Sequence, residues 1–450
     1  MKKHSLDQKI DRISYLPNEI RGHIFSFLSL KDVVKTSILS KQWEHVCSSL
    51  SDMKFDLSDF TRIKRDTGEF RDFVDELMLR HDNSDIKRFS LNTKVDDKFL
   101  TSSHVNAWIS FAVRHKVQIF YLWKFSKRVE KLPLCFFTCS TIAELSLFYI
   151  KIEWPTVVKF PSLKYFHLYG VCFYNENTIE QLISSCTCPM LEDLLIEHCD
   201  LAVETLSISI PSLKFLKLLE ENLVYFNLAS STLREINCYC CEPPNISSET
   251  LLSLLSVDCQ FLQGPNSTDH AECASKILIG LQNVKTLSLG SNFIEFISRD
   301  HNLAAYLPSS YWSLKDLQLD IYSTRNHVQV IKLLLRSCPN LQIVCIEIEQ
   351  DIKELTSVLN MTNMEEYWKL NELPPADILN KLRTVEIKFF EGSWSELHLV
   401  SYILQNAKFL EKMSFSCTFR QQESVERNLR KSDMLTAFTK LAPNVAILLS

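Results

Sequence analysis

Glycine is scarce in this chain: seven in 450 residues, and none within six residues of another. Dinucleotide fingerprints, phosphate-cradling loops and nucleophile elbows all need glycines a few residues apart, so that backbone can approach phosphate or turn sharply; all three are excluded. Charge of one sign is also missing. Lys and Arg number 49 against 54 Asp and Glu, a formal balance of -5, so no strongly basic face favours nucleic acid or anionic lipid. The longest stretch without a charged residue, Phe99 to Val113, is fifteen residues broken by Ser, Thr, His and Asn, short of a membrane span. No apolar core for a signal peptide follows the initial M-K-K-H-S-L-D-Q-K-I-D-R. The expectation is a soluble intracellular protein, in nucleus, cytoplasm or both. Its fifteen cysteines, odd in number, read as reduced core residues rather than bridges.

What is present falls into two parts. In Y-L-P-N-E-I-R-G-H-I-F-S-F-L, Pro17 suits a first helical turn, and Ile20, Ile24, Phe27 and Leu28 follow at helical spacing. Ser29 with Asp32 resembles a capping box for a second helix bearing Val33 and Val34, and Ser40 can cap a third that presents Trp43. So small a module buries little surface and needs a neighbour.

From about residue 140 onward an apolar residue is followed by another three positions later and a third two after that. The set is Ile142, Leu145, Leu147; Leu163, Phe166, Leu168; Leu191, Leu194, Ile196; Leu213, Leu216, Leu218; Leu233, Ile236, Cys238; Val284, Leu287, Leu289; Leu314, Leu317, Leu319; Leu341, Val344, Ile346; Leu382, Val385, Ile387; and Leu410, Met413, Phe415. The long gap between Leu233 and Val284 has room for a degenerate repeat around Leu255 and Val257. Such spacing fits leucine-rich repeats, each a short strand followed by a helix or loop, stacked into a parallel sheet. Pro161, Pro189, Pro211 and Pro339 each stand two residues ahead of a leading apolar residue and force an extended entry. The competing reading, unrelated strands in a mixed domain, does not account for ten matches to one spacing.

The run I-S-Y-L-P-N-E-I-R-G-H-I-F-S-F-L-S-L-K-D-V-V-K-T-S-I-L-S-K-Q-W resembles the F-box of plant F-box proteins. Repeats such as F-P-S-L-K-Y-F-H-L-Y-G-V resemble the leucine-rich repeats of that family, and L-P-P-A-D-I-L-N-K-L-R-T-V-E-I-K-F-F-E-G resembles its FBD region. The resemblance covers about residues 10 to 50 and 140 to 450. It implies an α/β fold: a three-helix F-box over 10–55, a connecting and capping segment over 56–139, a horseshoe-like repeat solenoid with a parallel sheet over 140–372, and an FBD region continuing the pattern over 373–450.

The family further implies docking on the SKP-family adaptor of a cullin-based ubiquitin ligase, with the repeats holding a protein substrate and no catalytic residue or cofactor in this chain. Matching residues carry the adaptor contact to Leu16, Pro17, Ile20, Ile24, Leu28, Val33, Val34, Leu39 and Trp43. Each could instead be internal core of the three helices. Two departures from the family's pattern stand at Gln42, where Arg is usual, and at Val46 and Cys47, where L-W is usual. They leave open a second reading, a repeat scaffold with a vestigial F-box and no ligase role.

Cys238 and Cys241 form C-x-x-C, and His270 with Cys273 forms H-x-x-C, a set that could hold tetrahedral zinc. Against a metal, Cys238 already serves as the third apolar position of a repeat. No histidine is followed by Glu, so the H-E-x-x-H helix is excluded. Nucleic-acid binding lacks both a basic stripe and a recognised module.

Strand alternation assigns the residues beside the second and third apolar positions to the concave face, the usual binding face of a solenoid. They comprise eight acids (Glu144, Asp193, Glu197, Glu235, Asp316, Asp320, Glu347, Glu386) and three lysines (Lys217, Lys388, Lys412). Five aromatics, Phe148, Tyr165, Tyr169, Phe215 and Tyr239, fall in the first five repeats. The expectation is a neutral or basic protein segment anchored on those rings. The bland alternative is rings that merely cover one another.

Overall fold

Two apolar residues at alternate positions, entered from a third, make a short strand with one buried face, because successive side chains of a strand point to opposite sides. The computed structural model shows that arrangement over the residues it describes: 16–37, 41–60, 67–93, 100–125, 129–175, 178–262, 268–300, 303, 307, 311–349, 379–416, 436, 438–440 and 442–449. The chain divides into two compact units, Met1–Leu191 with His198–Ala202, and Glu192–Glu197 with Val203–Ser450.

Unit 1 begins with helices α1 (Asn18–Ser26), α2 (Leu30–Ser37) and α3 (Lys41–Ser48). Pro17 is the N-cap of α1, with its carbonyl accepting from Arg21 N–H at 3.0 Å. Ser29 accepts from the Asp32 N–H at 3.2 Å and donates to the Asp32 carboxylate at 2.8 Å. That bond, with Lys35, holds the Asp32 carboxyl below its ordinary range. Phe25, Leu30 and Val33 are buried between the helices. The module does lean on a neighbouring segment: Lys31 Nζ donates to the Asp59 carbonyl at 2.9 Å and lies 3.6 Å from the Phe60 ring centroid.

The rest of unit 1 holds strands β1 (Asp52–Asp56), β2 (Arg88–Thr93), β3 (Ile119–Lys124), β4 (Glu144–Phe148) and β5 (Tyr165–Tyr169), each parallel to the next. Between them run α4 (Thr67–Arg80), α5 (Ser102–Arg114) and α6 (Leu134–Phe137), and α7 (Thr178–Leu182) follows β5. Register matches like with like, Leu145 against Phe166 and Leu147 against Leu168. The strands therefore begin ahead of Ile142, inside the stretch expected from sequence to connect and cap. Leu50, Met53, Phe55; Ile86, Phe89, Leu91; and Val117, Phe120, Leu122 have the same spacing and are all buried.

Unit 2 contains β6 (Asp193–Glu197), β7 (Thr205–Ile208), β8 (Phe215–Leu219), β9 (Tyr225–Leu228), β10 (Glu235–Cys240), β11 (Asn245–Ile246), β12 (Ser256–Phe261), β13 (Thr286–Leu289), β14 (Asp316–Tyr322), β15 (Ile343–Glu349), β16 (Thr384–Lys388), β17 (Lys412–Phe415) and β18 (Ala446–Leu449). Its main sheet runs β6-β8-β10-β12-β13-β14-β15-β16-β17-β18, parallel throughout. β12 occupies the long gap, with Leu254, Val257 and Cys259 buried as its triplet.

The remaining elements of unit 2 are α8 (Ser248–Ser253), α9 (Thr268–Gly280), α10 (Ser291–Ser298), α11 (Arg325–Arg336) and α12 (Trp394–Asn406). In the shortest repeats, between Leu191 and Leu233, no helix forms among the described residues. β7 and β9 lie there and pair, with β11 of the next repeat, as a second parallel sheet built on alternating T-L-S-I and Y-F-N-L. Buried strand residues meet the helices, as where Phe261 stacks on Phe293 of α10 at 5.1 Å. Among the described residues, no helix is long and apolar enough to cross a membrane.

Candidate functional site

The adaptor-facing set separates once burial is known. Ile20 is 47% exposed and Leu28 40%, Pro17 is exposed at the N-cap, and Leu16, Ile24 and Val34 are half-buried. Val33 is 1% exposed and faces the module's own interior, so it belongs to the core rather than to a docking ridge. Leu39 lies outside the described residues. Trp43 falls on α3, with its side chain also outside what is described. Phe27, at 76% exposure the most open apolar group among the described residues of the module, extends the ridge between Ile20 and Leu28.

On the solvent side of unit 1's sheet, half-buried rings form a connected row. Trp123 stacks on Phe148 with centroids 5.3 Å apart and 11° between planes, and Phe148 continues to Tyr169 at 6.0 Å. Tyr121 lies 4.7 Å from Phe148, and His167 stands edge-on to Phe148 at 4.9 Å. Tyr165 joins through His167, and Tyr169 meets Tyr149 at 5.1 Å and His198 at 5.3 Å. The rings thus cover one another in part and remain partly open to solvent.

Tyr149 and His198 have φ of 54° and 51°, the same left-handed exit that Gly170 takes at 62° after β5. A side chain on Gly170 would fall 2.9 Å from the Tyr149 ring, so its absence makes room for that ring. The Tyr149 phenol is pushed above its ordinary value by its hydrogen bond with Tyr169 and then by burial. Phe215 and Tyr239 are half-buried on β8 and β10 of unit 2.

The acids of unit 2 are unevenly compensated. Glu197 pairs with Lys217 at 2.9 Å and Glu347 with Lys388 at 3.5 Å. Asp193 and Asp316 are raised above the usual carboxylate range, chiefly by burial. Asp320 is pushed up to about 6 by burial and then by Glu347 and Glu349, although Gln260 Nε2 donates to it at 3.1 Å. Asp258, also raised by burial, adds an acid that the degenerate repeat had hidden.

The described cysteines of the C-x-x-C and H-x-x-C pairs lie in different settings. Cys238 is fully buried on β10, its Sγ 2.9 Å from Cys259 Sγ on β12; contacts with neighbouring thiols, Cys240 for Cys238 and Cys238 for Cys259, and then burial raise both thiols. Cys241 donates to the Glu221 carbonyl at 3.0 Å, and Cys273 is exposed on α9. The His270 side chain lies outside the described residues. Among those described, no three His, Cys, Asp or Glu side chains gather as a metal requires.

Comparison with known proteins places these features. The family described as "At1g61320/AtMIF1, LRR domain" matches residues 77–442, and the F-box domain matches residues 13–55. The chain belongs to the At1g61320/AtMIF1 LRR-domain family and carries an F-box domain. It is similar to the F-box/FBD/LRR-repeat protein At1g78750 of Arabidopsis thaliana, 27% identical over 93% of each chain. The FBD-associated F-box protein At1g66310 of the same plant is 27% identical over 94% of this chain and 93% of its own. F-box/LRR-repeat protein 13, also from Arabidopsis thaliana, is 25% identical over 90% and 89%. A solved TLR13–ssRNA13 complex covers 76% of this chain and 53% of its own, at 12% identity and a TM-score of 0.31, too remote to carry an argument.

In this F-box and LRR chain the F-box match takes in α1 to α3 and most of β1. The repeat match opens at residue 77, ahead of β2 and β3 and so ahead of Ile142. That early start is why sequence reasoning missed Tyr121 and Trp123. The available signal was the triplet Val117, Phe120, Leu122, which places both rings on the open face.

Proposed function

We propose that this chain is the substrate-recognition subunit of an SCF-type (SKP–cullin–F-box) ubiquitin ligase. The observation that supports it most is the open apolar ridge of Ile20, Phe27 and Leu28 on an F-box module, in the same chain as a ring-lined repeat face. The ridge, with Leu16, Pro17, Ile24 and Val34 beside it and Leu39 and Trp43 following, docks the SKP-family adaptor and through it a cullin. The rings of Phe148, Tyr165 and Tyr169, joined by Tyr121 and Trp123, hold a neutral or basic segment of a protein substrate; Phe215 and Tyr239 extend that role to unit 2. The chain itself is non-catalytic and needs no cofactor, since other subunits transfer ubiquitin. It works in nucleus, cytoplasm or both, binding neither nucleic acid nor membrane through these surfaces.

The working division is an F-box over 10–55, repeats over 140–372 and an FBD region over 373–450, with the segment over 56–139 contributing repeat strands β2 and β3 as well as connecting. Gln42, Val46 and Cys47 favour the second reading, a scaffold whose F-box has lost its partner.

The two roles separate by mutation. Tyr165→Ser with Tyr169→Ser should reduce the proteins that accumulate on the full chain when the proteasome is blocked, while adaptor recovery stays unchanged. Capture that survives this change, and is lost instead on altering residues beyond Leu373, would move the substrate site to the FBD region.

A further inference from the structure

Between β4 and β5 the chain runs from Tyr149 to Lys164 without a helix, whereas the connections on either side carry α6 and α7. The run W-P-T-V-V accounts for the difference: Pro155 has no N–H to donate, and Thr156, Val157 and Val158 are β-branched in succession. Where the flanking repeats place a helix, this one leaves a cavity of about 560 Å³, bounded by residues 154–159 on one side and by α7 with the turn after it on the other. Its walls are tied together. The Lys159 N–H donates to the Phe137 carbonyl at 2.7 Å, the Phe160 N–H to the Thr187 carbonyl at 2.9 Å, and Thr187 Oγ1 to the Gln181 carbonyl at 2.8 Å.

The lining is largely apolar. Leu182 is buried, Trp154, Pro155 and Val158 are half-buried, and Val157 is 57% exposed. Lys159 and Glu180 add one charge of each sign, so the lining carries no net charge. None of its residues belongs to the F-box ridge or to the ring row, and neither docking role uses it.

Trp154 is fixed by two rings. It stacks on Phe173 with centroids 5.5 Å apart and planes 4° apart, and Phe137 meets it at 5.6 Å and 61°. Its Nε1–H is nonetheless shielded from water and meets no acceptor among the described residues. A buried indole N–H ordinarily has a partner, and leaving one unmade costs stability that an acceptor would restore.

We propose that this cavity binds an uncharged apolar small molecule of two or three rings, whose carbonyl oxygen accepts from Trp154 Nε1–H. The volume is that of small-molecule pockets, about 300–1,000 Å³. A charged ligand would give up its water without meeting a net opposite charge. Nearly parallel stacking lets the indole slide in its plane over Phe173 while face contact is kept, and that movement brings the N–H to the ligand. An apolar side chain of a partner protein would fill the same space yet leave the N–H unmatched.

The test uses the full chain with benzophenone, with diphenylmethane, which has the same skeleton without the oxygen, and with benzoylbenzoate, which adds a charge. Titration followed by saturation-transfer NMR should show benzophenone bound about tenfold more tightly than either of the others. W154F keeps a ring against Phe173 and loses the N–H, so its affinity for benzophenone should fall to that for diphenylmethane, while diphenylmethane binding stays the same. On the unaltered protein, photoactivated benzophenone should attach within 154–159 or 178–187, a readout independent of any variant's folding. Attachment only elsewhere, equal binding of benzophenone and diphenylmethane, or undiminished benzophenone binding by W154F would overturn the proposal. So would the absence of saturable binding by all three compounds, which would leave the cavity to an apolar side chain of a partner protein.

Discussion

Replacing Asp320 by Asn isolates the electrostatics of the acidic strand face in unit 2. Asp320 lies between the core residues Leu319 and Ile321 on β14, its register partner on β15 is Glu347, and its carboxyl is pushed up from 3.8 to about 6 by burial and those neighbours. The folded protein therefore holds this proton more tightly than the unfolded chain does. Stability from that proton is complete below about 3.8 and is lost as pH rises through about 6, leaving a burdened carboxylate at neutral pH.

At about 1.4 kcal/mol for each tenfold change in proton affinity, the displacement corresponds to roughly 3 kcal/mol. Solvent reaches this half-buried site and screens the penalty to about 1 kcal/mol. Asn removes the charge while its carbonyl oxygen still accepts from Gln260. The variant should accordingly unfold at higher urea than the parent at pH 7.5, and at about the same urea near pH 4. A lower midpoint at pH 7.5, or an equal gain at both pH values, would refute the reasoning, because Asp320 would then be held by its hydrogen bond rather than burdened by Glu347 and Glu349.

Two further outcomes concern the interior. Lys124 and Glu130 form a buried pair at 2.7 Å that Ser102 completes at 2.6 Å, so K124M should lower stability by about 3–5 kcal/mol in urea denaturation, and K124M/E130L should recover most of the loss. If the cysteines are core alone, chelator should leave the melting curve of the purified chain unchanged; one zinc per chain, lost when Cys238 and Cys273 are both replaced, would restore the metal reading.

Ten repeats were legible because leucine at a fixed spacing is a strong signal, and within each unit those strands pair in register with one another. β1, β2 and β3 were not, since Met53, Phe55 and Phe89 stand where Leu is usual and long intervals break the rhythm. Tyr121 and Trp123 went unread with them. In the F-box, the family resemblance placed Val33 with Ile20 in the adaptor contact, yet a matching residue does not say which apolar side chains a three-helix module keeps for itself. Burial decides that, putting Val33 inside and Phe27 outside.

Adaptor recovery tests the central claim most directly. Leu16→Ala with Pro17→Ala removes the apolar entry to α1 and its N-cap without touching the repeats. The full chain should co-purify with the SKP-family adaptor and, through it, a cullin, whereas the double variant should lose both while its repeat strands stay folded by circular dichroism. Equal recovery of the adaptor by parent and variant, or none by the parent, would contradict the account.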